Sequence, residues 1–123
     1  MEKKGWVSIW FGNFSGNSIG EYVDLGYDDD GESIPSQFFK DFKIDIDETD
    51  EDTIEKAVYN KSSNEINFLL NGCSYEEIIL PKIQEICNIK KTYNAVILIY
   101  NFEYKNNITS AGNFDFVSAL KYE

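Results

Sequence analysis

The sequence predicts one α+β domain over residues 1–123, with a mixed or antiparallel sheet of about four strands and three or four short helices covering a face. Four stretches have the alternating or continuous apolar pattern of strands, and the stretches between them have the caps and spacing of short helices. The chain is 42% hydrophobic and 15% aromatic, which suffices for one core. It contains no repeat or linker that marks a domain boundary.

The first strand is expected over residues 5–12. Its side chains alternate between two faces, with Trp6, Ser8 and Trp10 on one and Val7, Ile9 and Phe11 on the other. Because both faces are largely apolar, this strand should lie in the middle of the sheet. We therefore expect both tryptophans to pack in the fold rather than to contact a partner.

Three further strands are expected later in the chain. Residues 94–102 are apolar on both faces and should also be central, while residues 114–122 alternate. A turn separates these two stretches, so we expect them to be antiparallel neighbours. Residues 53–59 also alternate, which favours a strand, with a helix as the competing interpretation.

The first two helices are expected before residue 45. One should cover residues 19–25, with Ser15 or Asn17 as its N-cap. The second should begin with Pro35 at its first position and run through Phe42, since proline is tolerated at a helix start.

Two more helical stretches follow the predicted strand at residues 53–59. Residues 62–70 form a short helix, and residues 75–89 form a longer one. Ser74 and Glu77 have the spacing of a capping box at the start of the longer helix. Pro81 lies inside it and should kink or divide it, because proline removes a backbone donor.

The charge of the chain excludes several kinds of chemistry. It has 22 Asp and Glu against 11 cations, all of them Lys, for a net charge of −11. With no His there is no histidine-dependent triad and no imidazole metal ligand. With no Arg there is no bidentate clamp for phosphate. Nucleic acid is excluded as a partner, because its phosphates would be repelled.

The negative charge is concentrated in residues 21–55, called here the acidic segment. It holds 14 acids and two Lys, a charge of −12, and the rest of the chain holds eight acids and nine Lys, a charge of +1. One interpretation is a solubilising surface; the other is a docking face for a basic partner. The candidate partner-binding residues are Tyr27, Asp28, Asp29, Asp30, Glu32, Asp45, Asp47, Glu48, Asp50, Glu51 and Asp52.

Other kinds of site are poorly supported. With Gly31 at the sixth position of an EF-hand loop, Gly26 and Gln37 fall where the end ligands belong, so we expect no calcium site. Cys73 and Cys87 are far apart and lack a His partner, which favours buried, reduced thiols. The spaced glycines after the first strand match no phosphate-binding loop. We expect no cofactor, no metal and no enzymatic activity.

Several sequence blocks, in this order, resemble the Immunity protein 22 family of bacterial polymorphic-toxin systems. The blocks span nearly the whole chain and cover residues 6–14, 21–23, 34–38, 41–45, 74–75 and 93–104. The resemblance implies a small, non-enzymatic, cytoplasmic protein that binds and neutralises a toxin encoded beside it. It supplies no catalytic residues.

We therefore expect an immunity protein whose acidic segment covers the active site of a basic toxin, such as a nuclease. The chain should act as a monomer or weak dimer. We also expect it to act away from membranes, since it has no membrane-spanning apolar run and its first residues do not have the pattern expected of a signal peptide. One alternative is a nucleic-acid mimic or adaptor that binds a host enzyme. Another is a carboxylate-based hydrolase.

Overall fold

The computed structural model describes residues 3–15, 19–87 and 89–123 and has the α+β fold that was expected. Its elements are β1 (Trp6–Gly12), α1 (Ile19–Val23), β2 (Gly26–Tyr27), β3 (Ser33–Ile34), α2 (Gln37–Asp41), β4 (Ile54–Ser63), α3 (Ile66–Leu69), α4 (Glu76–Ile86), β5 (Tyr93–Tyr100), β6 (Ser110–Ala111) and β7 (Phe114–Lys121). Two 3₁₀ turns, Ile46–Glu48 and Glu51–Thr53, precede β4.

The main sheet has five antiparallel strands in the order β4-β5-β1-β7-β6, and β2 and β3 form a separate hairpin. The central position of β1 is confirmed, and so is the strand at residues 53–59, which became β4. The expected pairing of β5 with β7 is wrong, because β1 lies between them. Pairing β1 with β5 puts the two strands that are apolar on both faces next to each other.

Helices cover both faces of the sheet rather than the single face that was expected. On one face, α3 and α4 pack through Leu69 and Ile83 onto a cluster that includes Ile9. On the other face, Phe38 of α2 packs onto Trp10, and so does Phe42, the residue that directly follows the helix. The alternation of β1 therefore sorts its side chains into two cores, as its sequence predicts.

The helix starts differ from expectation in several places. The cap of α2 is Ser36, whose Oγ accepts from the Phe39 amide, so Pro35 precedes the cap. Helix α3 is shorter than expected because β4 continues to Ser63. The expected cap at Asn17 lies outside the described residues, and α1 begins at Ile19.

The predicted capping box at the start of α4 is wrong. Ser74 Oγ donates to Glu55 at 2.6 Å instead of capping, and Tyr75, in a left-handed conformation with φ of 62°, precedes the helix without a side-chain cap. Helix α4 runs undivided through Pro81. Glu77, whose carbonyl loses its partner at Pro81, lies on the exposed side, where water can replace the lost hydrogen bond.

Candidate partner-binding surface

The β2–β3 hairpin supplies the first part of the surface. Asp28 organises its loop: its Oδ1 accepts from the amides of Asp30 at 3.0 Å and Glu32 at 2.9 Å. Gly31 has a φ of +82°, a left-handed value that favours glycine. With the backbone donors bound to Asp28, the carboxylates of Asp29, Asp30 and Glu32 are left exposed.

Residues 45–53 supply the second part of the surface, and the same N-cap arrangement occurs in them twice. Asp45 Oδ1 accepts from the Asp47 amide at 2.9 Å, and Asp50 Oδ1 accepts from the Asp52 amide at 3.0 Å. Each aspartate caps a 3₁₀ turn, which satisfies an amide that would otherwise have no partner. These turns direct the intervening carboxylates toward solvent, and Ile46 packs inward against the core.

One hydrogen bond and a shared cleft bring the hairpin and the 3₁₀ turns together. The Tyr27 hydroxyl donates a hydrogen bond to Glu51, and this bond raises the pKa of Tyr27. Next to it is a cleft of about 230 Å³, lined by Leu25, Ser33, Ile46, Asp47, Thr49, Asp50 and Glu51. The two stretches of candidate residues are therefore neighbours in space. We call these eleven residues, from Tyr27 to Asp52, the acidic surface.

The acidic surface is exposed and lacks countercharge. Ten of its eleven residues are exposed, and Asp50 is half-buried. Across residues 3–15, 19–87 and 89–123, no lysine nitrogen lies within 4.0 Å of its carboxylates. Such closely spaced, uncompensated carboxylates repel one another, which costs the folded state free energy.

Three of the other four acids of the acidic segment, Asp24, Asp41 and Glu55, have partners within the fold. Asp24 pairs with Lys56 at 2.8 Å. Asp41 accepts hydrogen bonds from Tyr22 at 2.8 Å and from Gln37 at 2.7 Å. Sequence reasoning counted these acids with the rest, since their partners lie on distant elements and are not visible in local spacing.

Large apolar side chains also reach the hairpin surface. Among the described residues, the exposed large hydrophobic side chains are Tyr27, Ile34, Tyr75 and Ile86. Two of these four, Tyr27 and Ile34, lie on the β2–β3 hairpin. Two other tyrosines in or beside the acidic segment pack inward: Tyr22 stacks on Phe114, and Tyr59 donates to the Leu69 carbonyl at 2.9 Å. Tyr27 thus remains the exposed aromatic candidate of the acidic segment.

A network around Glu55, which sequence reasoning missed, ties the start of β4 to the rest of the fold. Glu55 accepts from the Ser74 amide at 3.0 Å, from Ser74 Oγ at 2.6 Å and from the Tyr100 hydroxyl at 2.7 Å. Burial opposes ionisation of Glu55, but these hydrogen bonds outweigh it and lower its pKa. Burial and nearby carboxylates raise the pKa of Cys73 to about 11, so its thiol stays protonated at neutral pH.

We expect the Glu55→Gln variant to be less stable than the parent protein at pH 7. A carboxyl whose pKa is lowered by folding contributes stability above its unfolded pKa and loses it as the pH falls. The difference between variant and parent should therefore narrow below about pH 4.5. Urea denaturation at pH 7 and pH 3.5 measures this difference in the free energy of unfolding. Glu65→Gln, an exposed control, should leave the free energy of unfolding unchanged at both pH values. If Glu55→Gln is destabilised equally at both pH values, this role of Glu55 is contradicted.

The comparisons with known proteins identify the family. The family model described as Immunity protein 22 matches residues 7–123, nearly the entire chain. The chain belongs to the Immunity protein 22 family. Membership implies a protein that neutralises a cognate polymorphic toxin, and such immunity proteins are typically non-enzymatic. The search of curated proteins found no match, and neither did the search of solved structures.

Two features of this Immunity protein 22 member bear on membranes and metals. Among the described residues, no helix has the length and apolar character needed to cross a bilayer. Within the same part of the chain, no three Cys, Asp or Glu side chains are grouped so that they can hold a metal ion.

Proposed function

We propose that this chain neutralises its toxin by binding it through the acidic surface and covering the cationic cleft where the toxin acts. The toxin is then a basic protein, and a nuclease fits best, because its cleft must attract phosphates. The carboxylates of the immunity protein occupy the positions of substrate phosphates. The observation that carries this proposal is a set of exposed carboxylates with no lysine within 4.0 Å in the described part of the chain.

Two further features support the proposal. Focused negative potential raises the association rate with a basic partner by about 10-fold to 10³-fold. The exposed Tyr27 and Ile34 supply apolar contact area beside the charges, and tyrosine is enriched among residues that dominate interface energies. Charge then speeds and orients the encounter, and the hairpin side chains hold the complex.

We further propose that binding takes place in the cytoplasm and that the immunity protein acts as a monomer. Its two cysteines, Cys73 and Cys87, are free. Reduced thiols are typical of a cytosolic compartment. An interface centred on the acidic surface needs one copy of the chain for each toxin.

Co-purification tests the proposed function. The chain is co-expressed with the toxin encoded beside its gene, and the complex is captured at about 0.05 M and about 0.5 M salt, conditions that shorten the Debye length from over 10 Å to under 5 Å. We expect a complex at low salt whose association rate falls steeply at high salt. Failure to form a complex contradicts the function, and formation that is independent of salt contradicts the electrostatic mechanism.

The Tyr27→Ala variant is expected to bind the toxin about 30-fold more weakly, which corresponds to about 2 kcal/mol. Because the Tyr27 side chain is 55% exposed, its removal should change the free energy of unfolding by less than about 0.5 kcal/mol. Ile86→Ala, a similarly exposed hydrophobic residue at the end of α4, is the control and should bind normally. Calorimetric titration measures both variants, and equal affinities contradict a role for Tyr27.

A further inference from the structure

Strand β4 has an open backbone edge. It lies at one end of the main sheet and pairs with β5 alone, through Ile54–Val58 and again at Ser63. No residue of β4 is buried, whereas seven of the eight residues of β5 are. Within the described part of the chain, the backbone of residues 55–62 makes no hydrogen bond other than those to β5. The outward N–H and C=O groups of β4 are thus available to another strand.

The opposite edge of the sheet is covered in part. There β7 pairs with the short β6, and the amide of Phe116 donates to the Thr109 carbonyl at 2.8 Å. Farther along β7, Lys82 Nζ donates to the Lys121 carbonyl at 2.6 Å. Exposed edges are usually guarded in this way, or by prolines and free lysines.

A bulge interrupts β4 between Val58 and Ser63, but the other usual guards are missing from the strand. It contains no proline, its Lys56 is held by Asp24 at 2.8 Å, and the ammonium of Lys61 lies 5.7 Å from the centre of the Phe68 ring. A cleft of about 340 Å³, lined by both polar and apolar residues, opens along the strand. Its apolar lining includes Ala57, Tyr59, Leu69, Cys73, Val96 and Leu98. Alternate side chains of an added strand point to one face of the sheet, where this cleft can receive them.

The charges along β4 define the strand that fits. Asp50, Glu51 and Asp52 come directly before β4, and Lys61 lies near its other end. In an antiparallel addition, the C-terminal end of the incoming strand lies beside the start of β4. A complementary strand therefore has an acidic residue near its N-terminal end, which faces Lys61. Apolar side chains alternate along it, and it ends in Lys or Arg.

We propose that the toxin contributes such a segment, which adds to β4 as a sixth antiparallel strand of the main sheet and places its basic end on the acidic surface. This inference rests on the proposed function, because it assigns the occupant of β4 to the same toxin. Backbone hydrogen bonds hold the segment, the cleft receives its alternate side chains, and the charges at its two ends complement those along β4.

Hydrogen exchange on the co-purified complex tests this proposal. We expect amides of residues 54–63 to exchange at least 10-fold more slowly in the complex than in the free immunity protein. If the complex forms and β4 exchanges as in the free protein, strand addition is wrong while the proposed function stands. If no complex forms, the proposed function itself fails. Protection of β4 in the free protein together with a dimeric mass assigns the edge to a second copy and overturns the proposal.

A pair of variants at Asn60 supplies an independent test. Asn60 is exposed and lies outside the register with β5, so proline there removes an N–H that β5 does not use. We expect Asn60→Pro to weaken toxin binding at least 10-fold, and Asn60→Ala, which keeps the N–H, to bind within about 2-fold of the parent. Thermal melting shows that both variants fold. Equal affinities of two folded variants contradict strand addition.

Discussion

Neutralising Asp47, Glu48 and Asp52 together is expected to weaken toxin binding about 100-fold, at about 1 kcal/mol for each carboxylate. The substitutions are Asp47→Asn, Glu48→Gln and Asp52→Asn. Among the described residues these three side chains accept no hydrogen bond, and all are exposed, so their loss disturbs no local structure. The association rate should fall and lose much of its salt dependence, because the steering field is reduced. Surface plasmon resonance at several salt concentrations measures both.

A matched variant separates position from total charge. Glu65→Gln, Glu77→Gln and Glu85→Gln also remove three exposed carboxylates, all outside the acidic surface. We expect this control to bind nearly as the parent does. Equal losses in the two variants mean that net charge, rather than the acidic surface, drives the association. The first variant should be as stable as the parent or slightly more stable, because repulsion within the acidic surface is relieved.

Removing the Trp10 side chain is expected to have the largest effect on folding. The residue is fully buried, and its ring makes edge contacts with Phe38, Phe42 and Tyr104 at centroid distances of 5.0, 5.8 and 5.3 Å. Trp10→Ala should lower the free energy of unfolding by about 3–5 kcal/mol, since the cavity it leaves lies among helix α2, β1 and the chain after β5. Urea denaturation followed by circular dichroism measures this loss.

Trp10→Phe should be tolerated far better. The Trp10 Nε1–H is buried and has no hydrogen-bond acceptor in the described part of the chain. Phenylalanine keeps most of the aromatic packing but loses some contact area, because its ring is smaller than the indole. Removing the unpaired N–H stabilises the fold and offsets this loss. Its affinity for the toxin should equal that of the parent. A large loss of affinity in this folded variant contradicts the assignment of Trp10 to the core.

The four long strands could be predicted from local pattern, whereas the short strands β2, β3 and β6 and the order of the strands could not. The alternation around Trp10 and Ile9 correctly divided β1 between two cores. Short separation along the chain suggested that β5 and β7 pair, but residues far apart in sequence decide the pairing. Placing β1 between them buries both apolar faces of β1 and β5 more completely than an edge position does.

Local motifs failed where a distant side chain competed for the same atoms. Ser74 has the capping-box spacing with Glu77, but the carboxylate of Glu55, on β4, takes its hydroxyl and its amide. A charged acceptor forms a stronger hydrogen bond than a neutral helix cap does. No spacing rule finds such a contact, because it depends on where β4 lies relative to α4.

The charge analysis predicted which segment is acidic but not which of its acids are free. Composition alone locates the excess charge in residues 21–55. Asp24 pairs with Lys56, and Asp41 accepts a hydrogen bond from Tyr22. These contacts are visible only in the folded chain. The turns that hold the remaining carboxylates outward have a visible local signal, the aspartate two residues before each capped amide, as at Asp45 and Asp50.

Carboxyl footprinting tests most directly whether the acidic surface binds the toxin. Carboxylates of the free protein and of the complex are labelled with a carbodiimide and an amine, and mass spectrometry locates the label. Our account predicts strong protection by the toxin at residues 28–32 and 45–52, with Glu65, Glu77 and Glu85 labelled equally in both states. Protection of those three glutamates, with undiminished labelling of the acidic surface, contradicts it.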